Sequence, residues 1–191
     1  MIIRAFLAFT IPTPVRKALS LLARDLQQYT DDVTWTLPEK FHVTVQFFGE
    51  IDDAELLGPI AEHIRTQVAR IEAPLLDCTG VGVFPNWKYP RVIWTGFSGA
   101  TESLLQLHEQ LQTQFARIGV PPDERRFRLH LTIGRAKTIR HPAALVKRVE
   151  SLGPLHFGEV AVPALTLYKS QLTNDGSIYT ALERFPFQGS G

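Results

Sequence analysis

The stretches His42-Val43-Thr44-Val45 and His130-Leu131-Thr132-Ile133 decide how this chain of 191 residues is interpreted. Each has the form His-x-Thr-x with apolar residues at both x positions. Each also lies in a strand-like run, at about residues 41–48 and 126–134. One His-x-Thr arises often by chance, so the signal depends on two copies that occur in matching strand patterns.

Strand geometry predicts where the side chains of these runs point. Residues i and i+2 of a strand share a face, so His42 and Thr44 are expected to project together, as are His130 and Thr132. The residues predicted to enter the core are Val43, Val45, Phe47, Leu129, Leu131 and Ile133. Each run should therefore carry an imidazole and a hydroxyl on its non-core face.

The rest of the chain alternates helical and strand-like patterns. Residues 2–11 indicate a covered strand, and Thr13-Pro14 begins a helix whose apolar stripe extends to Tyr29. Further helical stripes occupy about 57–68, 104–118 and 145–152. Further strand-like runs occupy about 33–37, 75–83, 91–97, 155–162, 165–172 and 177–185, the last two joined through Asn174-Asp175-Gly176. This predicts an α+β protein, one domain over residues 1–188 with two similar lobes, each an antiparallel-rich sheet backed by helices. Gly189-Ser190-Gly191 is interpreted as a cloning remnant.

Composition narrows the class of protein. With 45% hydrophobic residues the chain can bury a substantial core, and its single cysteine, Cys78, excludes an intramolecular disulfide and a cysteine-based zinc cage. No apolar run approaches the ~20 residues that cross a bilayer, so we expect a soluble, cytoplasmic protein, monomeric by default. A net charge of +1 argues against bulk electrostatic coating of nucleic acid.

A basic segment surrounds the second motif. It runs from Arg125 to Arg140 without an acidic residue, which is also typical of a solvated surface. Arg128 shares the strand parity of His130 and is expected to face the same cleft. Arg135 has the opposite parity, but it follows Gly134, where a bulge or the strand's end is expected to turn its guanidinium back towards the site.

Paired histidines suit phosphodiester chemistry. An in-line displacement at phosphorus needs a proton acceptor on one side and a donor on the other, and imidazole serves as either near neutral pH. The hydroxyls of Thr44 and Thr132 are expected to bind phosphate oxygens. Neither motif has a second His, Cys, Asp or Glu at i+2 or i+4, so we expect no metal and no cofactor. The remaining histidines are interpreted as surface or structural residues: His63, His108, His141 and His156.

With both motifs in place, the sequence resembles the RNA 2′,3′-cyclic phosphodiesterases, the 2′-5′ RNA ligase or LigT-like branch of the two-histidine phosphoesterases. The resemblance covers nearly the whole chain. Besides the two motifs it rests on Phe47-Phe48-Gly49-Glu50, Gly82-Val83-Phe84-Pro85, Pro90-Arg91-Val92-Ile93-Trp94, Arg135 and Leu167-Tyr168-Lys169-Ser170.

The resemblance implies a bilobal two-histidine phosphoesterase fold with pseudo-twofold symmetry around a central cleft. It also implies hydrolysis of 2′,3′-cyclic phosphates, at RNA ends or on nucleosides, to 2′-phosphomonoesters, and in some members 2′-5′ RNA ligation. By this analogy His42 is the general acid and His130 the general base. Thr44, Thr132 and Arg135 would hold the phosphate.

Several expectations stay open at this point. Phe48 and Tyr168 are candidate platforms for a nucleobase, although aromatic residues in strands are more often core. One alternative hypothesis is an RNA-end binding module without catalysis. Another is a phosphodiesterase that acts on 2′-5′ oligoadenylates or on cyclic ADP-ribose phosphates.

Overall fold

The computed structural model describes residues 1–52, 54–122, 127–173 and 176–190. Within these ranges the chain forms nine β-strands and four α-helices. The strands are β1 (Ile2–Thr10), β2 (Thr34–Trp35), β3 (His42–Asp52), β4 (Leu75–Phe84), β5 (Val92–Gly99), β6 (His130–Arg135), β7 (His156–Ala161), β8 (Ala164–Thr173) and β9 (Gly176–Pro186). The helices are α1 (Thr13–Gln27), α2 (Leu57–Val68), α3 (Thr101–Arg117) and α4 (Pro142–Leu152), and a 3-10 helix spans Pro38–Lys40.

The strands form one antiparallel sheet in two halves. Half-sheet A has the order β3-β1-β8-β9, and half-sheet B has the order β6-β5-β4-β7 with β2 also paired to β6. The halves meet where β3 pairs with β6 through Val43 and Leu131. The predicted α+β class is confirmed, and the two predicted sheets are joined edge to edge into one.

The two halves repeat a common arrangement. Each motif strand is reached by a strand and a helix, β1-α1-β3 in one half and β5-α3-β6 in the other. In each half the motif strand lies next to the strand that precedes that helix. The repeated connectivity agrees with the pseudo-twofold symmetry that the resemblance implies.

The hydrophobic core lies on one face of the sheet. Apolar positions of the motif strands and of the helices belong to a single buried cluster. Its members include Val43, Val45, Leu131, Ile133, Leu19, Leu26, Leu104, Leu111 and Phe115. Helices therefore cover this face, and the alternation of side chains leaves His42, Thr44, His130 and Thr132 on the other.

Two sequence features lie at the limits of the described residues. Positions 174 and 175 of the predicted Asn174-Asp175-Gly176 turn lie outside them, but Thr173 pairs with Gly176, so β8 and β9 are antiparallel neighbours as expected. Near the end of the chain, the Ser190 amide donates to the Phe187 carbonyl, and the domain boundary at residue 188 stays a prediction. In the described part of the chain no helix has the length and apolar character needed to cross a membrane.

Candidate active site

The two motifs share one cavity of about 400 Å³. In an antiparallel pair with Val43 opposite Leu131, His42 lies beside Thr132 and Thr44 lies beside His130. All four polar side chains are half-buried and line this polar cavity. Its other lining residues are Arg4, Thr36, Lys40, Phe47, Arg135, Ser170, Leu172, Ser177 and Tyr179. The structure thus brings together the two histidines and two threonines that the sequence singled out.

Both imidazoles are held in the same way. The Nδ1 atom of His42 lies 2.8 Å from the Lys40 carbonyl oxygen, and that of His130 lies 2.6 Å from the Arg128 carbonyl oxygen. A carbonyl oxygen only accepts, so each Nδ1 carries a hydrogen and donates it. Each Nε2 is therefore the atom left for proton transfer, an acceptor in the neutral ring and a donor in the charged ring.

Aromatic rings enclose the two histidines. The His42 ring lies 5.1 Å from the Phe6 ring and 5.3 Å from the Tyr179 ring, measured between centroids. The His130 ring meets the Phe84 ring edge to face at 5.1 Å. Tyr179 had no sequence signal of its own, because only the pairing of β9 with β8 and of β8 with β1 brings it to the site.

Burial lowers the pKa of both His42 and His130 from the usual imidazole value. The hydrogen bond from each ring to a backbone carbonyl opposes this lowering, while the positive charge of Arg135 adds to it for both rings. A charged His130 lowers the pKa of His42 further. The site therefore disfavours two protonated rings at once.

A bulge in β3 overturns two expectations about its aromatic residues. Ala8 pairs with Thr44 whereas Leu7 pairs with Gln46, so one extra residue in β3 inverts the alternation. Phe47, expected in the core, is 39% exposed and lines the polar cavity. Phe48, expected as a base platform, is only 8% exposed and packs edge to face on Phe115.

A matching bulge in β6 places Arg135. Trp94 pairs with Thr132 whereas Ile93 pairs with Gly134, so the alternation inverts after the second motif as well. Arg135 consequently lines the polar cavity, and its Nη2 atom donates to the Thr132 hydroxyl at 3.4 Å. The extra residue of this bulge is Ile133, next to Gly134, where a bulge or the strand's end was expected. Phe47 and Arg135 occupy equivalent positions, five residues after each histidine.

A second cavity of about 610 Å³ adjoins the first. The two share Thr44, Phe47, His130 and Arg135. The remaining lining residues of this aromatic cavity are Val45, Gln46, Phe84, Pro85, Val92, His108, Phe127 and Arg128. Arg128 thus reaches the cleft as expected, but from the loop before β6, with its guanidinium 5.9 Å from the Phe84 ring centroid.

His108 is a structural residue, one of the two settings expected for it, whereas Tyr168 differs from its predicted setting. His108 is buried at 8% exposure, and its Nδ1 lies 2.9 Å from the Val45 carbonyl oxygen. The His108 ring stacks on Phe127 at 4.1 Å in the aromatic cavity. Tyr168 lines neither of these two cavities, and its ring stacks on Phe6 at 5.3 Å. Tyr168 therefore supports a residue that contacts His42 and is not itself placed to receive a base.

Metal ligation finds no support among the described residues. Within those ranges no three His, Cys, Asp or Glu side chains converge in a way that would hold an ion. The thiol of Cys78 is buried, and burial raises its pKa to about 11. The groups that the structure brings together in the polar cavity include imidazole, hydroxyl, guanidinium and ammonium groups.

Comparison with known proteins finds matches along nearly the whole chain. The model of the 2′-5′ RNA ligase superfamily matches residues 12–174. A Methanothermobacter thermautotrophicus protein named RNA 2′,3′-cyclic phosphodiesterase is 33% identical over 185 residues, covering 97% of this chain and 99% of the relative. A Thermotoga maritima protein of the same name is 32% identical over 188 residues, covering 97% and 96%.

Solved structures share the fold. A crystal structure of a Thermus thermophilus protein superposes with a TM-score of 0.78 at 29% identity, covering 97% of this chain and 98% of the other. Escherichia coli LigT, crystallised with 3′-AMP, gives a TM-score of 0.78 at 22% identity, covering 98% and 99%. At that identity the second likeness concerns the fold alone.

Proposed function

The chain belongs to the 2′-5′ RNA ligase superfamily, and we propose that it hydrolyses 2′,3′-cyclic phosphates, at RNA ends or on nucleosides, to 2′-phosphomonoesters. One observation carries the proposal. Two imidazoles are anchored at Nδ1 by the carbonyl two residues earlier, so that both Nε2 atoms are available to a single cavity that also holds Arg135. The names of the relatives supply the substrate class.

The proposed reaction uses one protonated and one neutral histidine. His130 accepts a proton at Nε2 from water while the water oxygen bonds to phosphorus. The bond from phosphorus to the ribose 3′ oxygen breaks, and Nε2 of His42 donates a proton to that oxygen. The assignment of acid to His42 and base to His130 follows the resemblance to the family. Exchange of one proton with solvent returns each ring to its starting state.

The phosphate would be held by groups that need no metal. Arg135 presents a guanidinium fork that matches two non-bridging oxygens. The hydroxyls of Thr44 and Thr132 lie on the same face of the sheet and are able to donate to the same group. These contacts strengthen as negative charge builds on the phosphoryl oxygens in the transition state.

The aromatic cavity is the proposed site of the nucleobase. It opens directly from the phosphate position through Phe47 and His130, which belong to both cavities. Phe47 is the exposed ring at that junction, and stacking on an aromatic ring accepts any base because each has a π face. Phe47 therefore takes the role that the sequence suggested for Phe48.

A substrate panel tests the proposal. Purified protein with EDTA is incubated with an RNA bearing a 2′,3′-cyclic end, with 2′-5′ oligoadenylate and with a cyclic ADP-ribose phosphate. We expect turnover of the cyclic RNA end, with a product that comigrates with the 2′-phosphate standard and not the 3′-phosphate. Binding of that end without product would indicate a non-catalytic binding module, and faster turnover of another substrate would reassign the reaction.

A further inference from the structure

The polar cavity carries more positive charge than one cyclic phosphate requires. A 2′,3′-cyclic phosphodiester has a single negative charge, which the guanidinium of Arg135 alone balances. Arg4 and Lys40 also line this cavity, and among its described lining residues there is no carboxylate. Glu50 lies opposite Arg4 across β1 and β3 but does not line the cavity. Two further cations in a lining without a carboxylate indicate a site for a second anion.

Arg4 is positioned by the strand order of half-sheet A. It lies on β1, directly opposite Ser170 of β8, and both side chains line the polar cavity. Its guanidinium sits 4.8 Å from the centroid of the Phe47 ring. Stacking on a ring uses the flat face of a guanidinium and leaves its N–H edge for an anion.

Lys40 lines the same cavity from a different part of the chain. It ends the 3-10 helix just before His42, and its carbonyl oxygen anchors the His42 ring. Its Nζ lies 3.7 Å from the position that a Cβ would take on Gly176, where β9 begins. The ammonium group thus reaches the start of β9, and Ser177, the next residue, also lines the cavity. A compact ammonium with neighbouring hydroxyls is well suited to phosphate oxygens.

We propose that Arg4 and Lys40 bind a second phosphate of the substrate, the one on the 5′ side of the terminal nucleoside. This inference rests on the proposed function, because it takes the cyclic phosphate to lie between His42 and His130. The second phosphate distinguishes an RNA end from a mononucleoside 2′,3′-cyclic phosphate. Its source is either the internucleotide linkage or a 5′-phosphomonoester, since both present anionic oxygens at that position.

Three substrates test the inference: adenosine 2′,3′-cyclic phosphate, its 5′-phosphorylated form, and the dinucleotide ApA with a 2′,3′-cyclic end. For the wild-type protein we expect kcat/KM for the dinucleotide to exceed that for the mononucleoside by about tenfold. In the Arg4→Gln/Lys40→Gln double variant this ratio should fall towards one. An equal gain for the 5′-phosphorylated form would identify any 5′ phosphate as the ligand, and a gain for the dinucleotide alone would identify the internucleotide linkage.

The control is the Arg24→Gln/Arg70→Gln double variant. It removes the same charge from exposed positions that line neither cavity, and it should keep the wild-type ratio. A wild-type ratio near one, or a gain for the dinucleotide that survives in the Arg4→Gln/Lys40→Gln variant, would overturn the inference. Either result leaves the proposed function intact as long as adenosine 2′,3′-cyclic phosphate is turned over. If none of the three substrates is turned over, the proposed function itself is rejected.

Discussion

Val43 lies directly opposite Leu131, and this pair joins the two half-sheets. Both side chains are fully buried on the helix-covered face. Because neighbouring residues on a strand point to opposite faces, the buried pair forces His42, Thr44, His130 and Thr132 onto the open face. The geometry of the candidate site is thus a consequence of how the core is packed beneath it.

The pH dependence of the reaction should reflect the lowered pKa values of both histidines. Below the lower pKa both rings are protonated and no base remains, and above the higher pKa both are neutral and no acid remains. Burial and the charge of Arg135 lower both values. We expect the bell-shaped profile of kcat/KM to be centred below about pH 6.5, the usual imidazole pKa. A profile centred well above that value would contradict the geometry.

Removing the charge of Arg135 should move that profile. In Arg135→Gln, both histidines lose a cation that lowers their pKa, so both limbs should shift to higher pH. The loss of a phosphate contact should also reduce kcat by about 10²- to 10³-fold. Arg135→Lys is the matched control, because it keeps the charge but loses the guanidinium fork. The two limbs of the Arg135→Lys pH profile should stay in place while its kcat falls. An unshifted pH profile in Arg135→Gln would contradict the effect of the Arg135 charge on the two histidines.

Substitutions of the neighbouring residues Phe47 and Phe48 should have different effects, the first on substrate binding and the second on stability. Phe47→Ala removes an exposed ring at the junction of the cavities, so kcat/KM should fall by about tenfold, as expected for a lost stacking contact, with little change in unfolding free energy. Phe48→Ala removes a buried ring that packs on Phe115 and should cost about 3–5 kcal/mol of stability. Urea unfolding and steady-state kinetics measure both, and the opposite pattern would mean that the bulge in β3 is misplaced.

Gly134 should tolerate no side chain. A Cβ there would lie 2.6 Å from Cγ1 of Val33 and 3.1 Å from Cε3 of Trp35, so Gly134→Ala should cost about 1–3 kcal/mol through overpacking. The displaced strand end should also lower kcat, since Arg135 follows directly. Gly58→Ala in α2 is the control, because no atom lies within 4 Å of its added Cβ, and urea unfolding should show equal or greater stability. Unchanged unfolding of Gly134→Ala would show that β2 does not pack as closely as described.

Periodicity in the sequence predicted most of the fold, because apolar side chains at spacings of two or of three and four residues identify the buried face of each element. It predicted that the histidines and threonines share one face, and Gly134 indicated a bulge or a strand end that would turn Arg135 towards the site. It failed at the bulge in β3, where Gln46 is polar yet buried and is satisfied by hydrogen bonds to the Phe47 carbonyl and to Gln112. Simple alternation along β3 predicts that a polar residue at position 46 is exposed. It therefore assigns Phe47 to the core and Phe48 to the open face, the reverse of what the structure shows.

Tyr179 is a residue of the site that no local sequence pattern could have identified. Its place beside His42 depends on β9 pairing with β8 and β8 with β1. Those pairings join distant parts of the chain, and no local pattern around Tyr179 encodes them. Arg4 was missed for the same reason, since its place in the polar cavity depends on the pairing of β1 with β8. Lys40 lies two residues before His42, but no sequence pattern indicates that its side chain enters the cavity.

The central claim, that His42 and His130 act together as one acid–base pair, is tested most directly by the kcat of three variants on an RNA 2′,3′-cyclic end. His42→Ala and His130→Ala should each lower kcat by at least about 10²-fold, and the double variant should be little slower than either, since residues that act as a unit are not additive. His141→Ala, at an exposed position, should match the wild type. Near-wild-type turnover by the double variant would contradict the account.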